Sequence, residues 1–324
     1  MSRLPFELKE YKERQSNFLS QLPDDSIFIL PTNPVMTRSN DTNFPFRANS
    51  YMLYLCGWDA PHGVFVAYRD DGSWVTSLFV QPRNEKAEIW EGRRVGIEGA
   101  AADWPIDRAY SLDEIVSTLN MLIEGKSSIY FIQGNNDLVD ETVSSSGISI
   151  MDPIPILDKM RVVKSAAEIH IMQNVVEFAS NAHIEAMRQA VPGMGEWHLQ
   201  SILEASFTQN NSQCAYQSIV GGGENATILH YNSNNSNVAA GDLVLIDAGC
   251  EVDGYASDIT RTWPISGNFS PSQRTIYELV LSAQKAAINV CRAGSPWKSM
   301  HKLSLIHISE PTRRYAISYA GFCV

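Results

Sequence analysis

An Asp-Gly pair, Asp253-Gly254, stands between two apolar runs and constrains the fold of this chain more than any other feature. Such a pair is a strong signal for a two-residue β-hairpin, because both central residues of a type I′ turn need positive φ. If these two residues form the loop, Val252 faces Tyr255 and the two runs pair in one antiparallel register. We therefore predict a hairpin centred on this turn.

The same register brings two acidic residues to one face of the hairpin. Asp247 lies opposite Thr260, and Asp258 lies opposite Gly249, when the pairing is continued from the turn. Diagonal neighbours of this kind lie roughly 7–8 Å apart at the backbone, and carboxylates at that separation can share two metal ions roughly 3.5–4 Å apart. From the spacing alone a second interpretation stays open, in which one aspartate joins a turn network and the other is solvated.

Several short segments carry a recognisable pattern in and before the hairpin. They are residues 243–249 (LVLIDAG), 257–264 (SDITRTWP), 228–231 (ILHY) and 160–169 (MRVVKSAAEI). Together they resemble the aminopeptidase P branch of the pita-bread metallopeptidases. The resemblance implies that Asp247 and Asp258 bind two divalent metal ions, with Mn²⁺ expected, and that His230 contacts the substrate as a catalytic residue.

The first half of the chain resembles the same family through residues 37–39 (TRS), 46–50 (FRANS) and 88–94 (EIWEGRR). These motifs follow one another in the family's order from about residue 5 to about residue 302, which makes the resemblance specific. It implies an α/β (α+β) fold class: an N-terminal mixed α/β domain over residues 1–155, then the first half of a pita-bread (creatinase/aminopeptidase-like) domain over residues 156–302.

Residues 303–324, which begin LSLIHISEPTR, do not continue the family pattern. They resemble a translated transposase-type sequencing adapter, and we exclude them from fold reasoning as non-native. In the family, the metal site is completed by one histidine and two glutamates from the second half of the pita-bread domain. We therefore expect this chain as written to be a fragment with weak metal binding and no peptidase activity.

The reaction implied by the resemblance is release of the N-terminal residue that precedes proline, by an Xaa-Pro aminopeptidase. A prolidase, which takes only dipeptides, and a non-catalytic pita-bread protein that binds partners remain as alternatives. Trp90 is expected either to line a substrate subsite, of this subunit or of a neighbouring one, or to be a core residue. The implied partner is a peptide with proline at its second position, and the full-length protein is expected to be a homo-oligomer.

Composition excludes some other functions. The net charge of −11 comes without a basic run, which argues against nucleic acid as a partner. The longest apolar runs are too short to span a bilayer, and the charged N-terminus has no apolar core of a signal peptide. Four cysteines are scattered and the fifth, Cys323, belongs to the tail, so we predict reduced thiols and a cytoplasmic protein without a membrane partner.

Periodicity and turn residues predict the remaining elements. Helices are predicted over residues 5–22, 112–122, 165–191, 196–207 and 270–290, and strands over 26–30, 63–68, 74–79, 128–132, 218–221 and 227–230. Ser165 and Glu168 form a predicted capping box, and Pro153-Ile154-Pro155 is predicted to be a linker. His170 and His183 lie on a helix without a partner motif, and we assign them no role.

Overall fold

The computed structural model describes residues 4–303. The predicted adapter-derived tail, residues 303–324, therefore lies outside the described residues apart from Leu303. The chain forms two compact units, and the division between them falls after Ile169, further along the chain than the boundary predicted at residue 155. None of the helices in the described part combines the length and the apolar character that crossing a bilayer requires.

The first unit is built on one mixed sheet. Its helices are α1 (Leu8–Leu19), α2 (Ser50–Cys56), α3 (Glu85–Glu91), α4 (Gly96–Asp103), α5 (Ile115–Ile123), α6 (Asp137–Ser145) and α7 (Ile154–Val162). Its strands are β1 (Ser26–Pro31), β2 (Thr37–Ser39), β3 (Thr42–Asn43), β4 (Val64–Asp70), β5 (Ser73–Val80), β6 (Arg108–Ser111), β7 (Ser128–Phe131) and β8 (Ser149–Met151). Six strands form the sheet in the order β6-β5-β4-β1-β7-β8, and the predicted elements of this region are confirmed.

Strand β1 shows why this sheet is central to the first unit. It pairs antiparallel with β4 and parallel with β7, and its side chains are buried on both faces. Phe28 and Leu30 join one apolar cluster, whereas Ile27 and Ile29 join a second one. A strand that is covered on both faces reads as a continuous apolar run, which is the pattern seen in this sequence.

The prediction of a linker at Pro153-Ile154-Pro155 is wrong. Pro153 occupies the N-cap position of α7, and Pro155 lies in the first turn of that helix. Proline is compatible with this position because the first backbone N–H groups of a helix have no intrahelical partner. The two prolines therefore start a helix here and do not separate two domains.

The second unit joins helices to two small antiparallel sheets. Its helices are α8 (Ala166–Gln189, which begins in the first unit), α9 (Glu196–Gln209) and α10 (Pro271–Val290). Its strands are β9 (Gln213–Cys214), β10 (Ile219–Gly222), β11 (Leu243–Ala248), β12 (Cys250–Val252), β13 (Tyr255–Ala256) and β14 (Ile259–Pro264), and they form the sheets β10-β11-β14 and β13-β12-β9. The helix predictions are confirmed, including the capping box at the start of α8, in which Glu168 accepts from Ser165 N and Ser165 accepts from Glu168 N.

Strand β11 lies between β10 and β14 and carries the candidate site. Val244, Ile246 and Ala248 are fully buried in a cluster that includes apolar residues of α8 and α9. Because side chains alternate along a strand, the residues between them lie on the other face of the sheet. This alternation places Asp247 on the face opposite the buried cluster, where it is half-buried.

The strand predicted over residues 227–230 is wrong. Residues Gly223–Thr227 form a 3-10 helix, and a turn containing His230 follows it. The backbone N–H groups of Gly222 and Ser236, on either side of this stretch, donate to the carboxylate of Glu196. The Glu196 carboxylate therefore accepts hydrogen bonds from these N–H groups, which in a β-strand would donate to the carbonyl groups of a neighbouring strand.

Candidate metal centre

The predicted hairpin is present with its predicted register. Asp253 and Gly254 have φ values of 54° and 81°, which is the positive-φ pair that a type I′ turn requires. Val252 pairs with Tyr255 next to the turn, and Asp247 lies opposite Thr260 further along. The Asp-Gly pair therefore fixes which face of the hairpin carries the aspartates.

Gly249 makes the close approach of the two strands possible at the site. A Cβ atom built on Gly249 would lie 1.8 Å from the carbonyl oxygen of Ser257. That oxygen belongs to the backbone, so it cannot move aside as the end of a flexible side chain could. Any side chain at position 249 would collide with the backbone of the opposite strand, so this position requires glycine.

A tyrosine connects the two carboxylates. The hydroxyl oxygen of Tyr216 lies 2.6 Å from Asp247 Oδ1 and 3.1 Å from Asp258 Oδ1. The pKa of Tyr216 is raised well above its ordinary value, and burial is the largest cause. The hydrogen bond to Asp247 and the negative charge of Asp247 come next, and the charge and hydrogen bond of Asp258 follow. The hydroxyl therefore keeps its proton and donates it to the carboxylates, which it holds close together.

The remaining oxygens of this pair are suited to a cation. A phenol has one proton to donate, so a single hydroxyl cannot satisfy two carboxylates, and Oδ2 of Asp247 and of Asp258 accepts no hydrogen bond from residues 4–303. Carboxylate oxygens are hard ligands that suit divalent ions such as Mg²⁺ and Mn²⁺. Within the same residues no third His, Cys, Asp or Glu groups with them, so they fit part of a metal site.

His230 lies on an exposed turn whose following residues are anchored next to the tyrosine. Asn232 Nδ2 donates to Gln217 Oε1 at 3.0 Å, and Gln217 directly follows Tyr216 in the chain. Asn234, which is buried, accepts from Val220 N at 3.0 Å and donates to the Ser218 carbonyl at 2.8 Å. These bonds attach the segment that carries His230 to the strand beside the carboxylates.

Glu196 anchors the same segment from the other side and was not singled out by the sequence. Its side chain is fully buried at the start of α9. Its Oε1 accepts from Gly222 N and Asn225 Nδ2, and its Oε2 accepts from the Tyr231 hydroxyl and Ser236 N, at 2.8–3.0 Å. A buried carboxylate with four donors is fully satisfied, and it fixes the chain on both sides of His230.

His183 has a structural position that the sequence did not reveal. It is buried, and its Nε2 lies 3.1 Å from the carbonyl oxygen of Ala248, the residue after Asp247. A carbonyl only accepts, so Nε2 carries the proton, and Nδ1 has no hydrogen-bond partner among the described residues. Burial lowers the pKa of His183, so the ring is neutral and supports the end of β11.

Trp90 is not a core residue, which rules out one of the two interpretations of its role. It lies on α3 in the first unit with 89% of its surface exposed, beside Ile89, which is 79% exposed. Exposed neighbouring apolar side chains are typical of a surface that contacts another molecule. A subsite role for Trp90 stays a prediction.

Both halves of the chain match known protein families. Residues 11–130 match the aminopeptidase P N-terminal domain, and residues 170–323 match metallopeptidase family M24. The Xaa-Pro aminopeptidase of Haemophilus influenzae is 38% identical over 305 residues, which cover 92% of this chain and 70% of the relative. The Escherichia coli Xaa-Pro aminopeptidase is 36% identical over 303 residues, covering 89% of this chain and 69% of the relative.

Solved structures show the same likeness. Proline aminopeptidase P II from Yersinia pestis matches with a TM-score of 0.90 and 36% identity, over 93% of this chain and 73% of that one. Zn-substituted E. coli aminopeptidase P in complex with product matches with a TM-score of 0.93 and 33% identity, over 98% of this chain and 76% of that one. The predicted fold class, a mixed α/β domain followed by pita-bread structure, is confirmed.

Proposed function

This chain belongs to the Xaa-Pro aminopeptidases of metallopeptidase family M24, and we propose that Asp247 and Asp258 are metal ligands of that activity. The observation that supports the proposal most directly is the pair of carboxylates held on one Tyr216 hydroxyl. Membership of a metallopeptidase family implies divalent metal ions. We propose two ions, with Mn²⁺ as the physiological metal.

The proposed reaction releases the N-terminal residue of a peptide whose second residue is proline. Asp247 and Asp258 would hold the ions, while Tyr216 keeps the carboxylates close together. Bound there, divalent ions would supply the Lewis acidity that activates a water and the scissile carbonyl. The bond is demanding because the proline nitrogen carries no hydrogen for recognition and must be protonated as it leaves.

His230 is proposed to contact the substrate. Its imidazole is exposed on a turn whose neighbours are fixed by Glu196 and Asn234, and a positioned imidazole can hydrogen-bond developing charge on a substrate. Trp90 is proposed to supply an apolar wall to a subsite. The presence of both aspartates together with His230 favours an enzyme over a non-catalytic pita-bread protein that has lost its ligands. A cytoplasmic location and a homo-oligomeric full-length protein are also proposed.

The proposed roles are tested in a chimera of the E. coli relative, in which residues 170–302 of this chain replace the matching segment. We expect the chimera to release the first residue of an Xaa-Pro-Xaa peptide and to leave a matched Xaa-Ala-Xaa peptide intact. Asp247→Asn or Asp258→Asn should lower kcat/KM by at least about a thousandfold.

The matched control is Asp242→Asn, since Asp242 lies next to the same strand and, among residues 4–303, its side chain accepts from Ala239 N alone. This variant should keep the activity of the chimera. An active chimera that tolerates loss of either Asp247 or Asp258 would show that these residues are not the metal ligands.

A further inference from the structure

Two cysteines lie directly opposite each other on neighbouring strands of the second unit. Cys214 of β9 pairs with Cys250 of β12 in an antiparallel register. Ala215 N donates to the Gly249 carbonyl, whereas the Cys250 carbonyl accepts from Ser257 N on the other side of the strand. The cysteines therefore form a non-hydrogen-bonded pair, the type in which opposite Cα atoms are about 4.5 Å apart.

That spacing is suited to a covalent bond. Disulfides span Cα separations of about 4.4–6.8 Å, and side chains of directly opposite residues project from the same face of a sheet. Both cysteines are free thiols in this structure. We propose that Cys214 and Cys250 are a modification site that closes to a reversible disulfide under oxidation, in addition to the carboxylate site.

The burial of the two thiols sets the order of the reaction. Cys214 is exposed, so it meets the oxidant first, whereas Cys250 is fully buried with its Sγ 3.5 Å from the Val175 carbonyl. The Cys214 thiolate attacks glutathione disulfide, breaks its S–S bond and releases one glutathione thiol. The Cys250 thiol then loses its proton, attacks Cys214 Sγ and releases the second glutathione, so that two protons and two electrons pass to glutathione disulfide, which becomes two glutathione thiols.

The cross-link would enclose most of the candidate metal centre. The chain between the two cysteines, residues 214–250, contains Tyr216, His230 and Asp247. Although Cys214 is exposed as a residue, partial desolvation of its thiol, and then the nearby Glu204 carboxylate on α9, raise the pKa of that thiol, which lowers the thiolate fraction at neutral pH. The disulfide therefore forms slowly and responds to sustained oxidation, since the thiolate is the reacting form.

The test uses the full chain with Cys291→Ser and Cys323→Ser, which removes the exposed Cys291 and also Cys323, which lies outside the described residues. The reduced protein is equilibrated in glutathione buffers, the remaining thiols are blocked by alkylation, and digested peptides are identified by mass spectrometry. We expect one Cys214–Cys250 cross-linked peptide that dithiothreitol removes, while Cys56, which is buried, stays alkylatable after unfolding. The equilibrium constant for forming the Cys214–Cys250 disulfide from glutathione disulfide should be larger in the folded protein than in denaturant by about tenfold or more.

Single cysteine variants distinguish the thiol that reacts first with glutathione disulfide from the thiol that closes the cross-link. With Cys250→Ser, Cys214 should carry one glutathione, and with Cys214→Ser, Cys250 should stay reduced in the folded protein. The proposal is overturned if the folded protein accumulates glutathione on Cys214 without the cross-link. It is also overturned if the cross-link forms no more readily in the folded protein than in denaturant, a comparison that needs no variant at these two positions.

Discussion

Replacing Tyr216 with phenylalanine removes the one hydroxyl that connects the two carboxylates and leaves the aromatic ring in place. The hydroxyl oxygen lies 2.6 Å from Asp247 Oδ1 and 3.1 Å from Asp258 Oδ1. A hydrogen bond to a charged group contributes about 1.5–3 kcal/mol. Because Tyr216 is half-buried and Asp258 is exposed, we discount this for solvent screening to about 1–2 kcal/mol.

The assay is urea unfolding at pH 7 in the presence of a chelator, with thermal unfolding as a second measurement. For a unit of this size a loss of about 1–2 kcal/mol corresponds to a decrease in Tm of roughly 2–8 °C. In the Asp247→Asn background the effect of Tyr216→Phe should be smaller by about half.

Tyr277→Phe is the matched control, since Tyr277 lies on α10 with a ring contact to Phe269 and its hydroxyl makes no hydrogen bond to a described residue. Its effect on the free energy of unfolding should stay within about 0.5 kcal/mol. If Tyr216→Phe is equally neutral at pH 7 in chelator, the tyrosine does not hold the carboxylates and the proposed arrangement of the site is refuted.

Three further substitutions test the surroundings of the site. Glu196→Gln places an amide NH₂ among donors and should lower the free energy of unfolding by about 1–3 kcal/mol, with faster amide exchange in residues 222–236; unchanged exchange there would contradict the anchoring role. His183→Gln should flatten the pH dependence of the free energy of unfolding. Because the pKa of His183 is lowered in the folded state, its contribution to stability is complete above about pH 6.5 and is lost as the pH decreases below that value. An unchanged pH dependence in urea unfolding would show that His183 does not cause this loss of stability. Gly249→Ala should lower the free energy of unfolding by about 3 kcal/mol or more, because its Cβ would collide with the Ser257 carbonyl oxygen. A free energy of unfolding equal to that of the parent chain would show that the two strands do not approach this closely at Gly249.

The sequence predicted those parts of the site that depend on neighbours close in the chain. The Asp253-Gly254 turn determines the hairpin register because only a few residues separate its strands, and that register alone places both aspartates on one face. Tyr216 and Glu196 could not be found in this way. Their roles depend on pairing across longer separations, such as Ile219 opposite Asp247, which no local pattern encodes.

The errors have local causes as well. The two prolines near residue 154 were interpreted as a linker, although proline is equally suited to the first turn of a helix. The segment containing His230 has the apolar residues of a strand, but Ile228 and Leu229 are exposed and the segment is a turn. The carboxylate of Glu196, which is distant in sequence, accepts hydrogen bonds from residues on both sides of this segment and so stabilises the turn.

Calorimetric titration of the chelator-treated chain with Mn²⁺ tests the central claim most directly. The parent chain should bind the ion weakly, because the described residues supply two carboxylates and no third grouped ligand. Asp247→Asn and Asp258→Asn should each weaken this binding by at least about tenfold, while Asp242→Asn should leave it unchanged. Binding that survives both substitutions, or that Asp242→Asn removes equally, would contradict the claim that the hairpin aspartates form the metal centre.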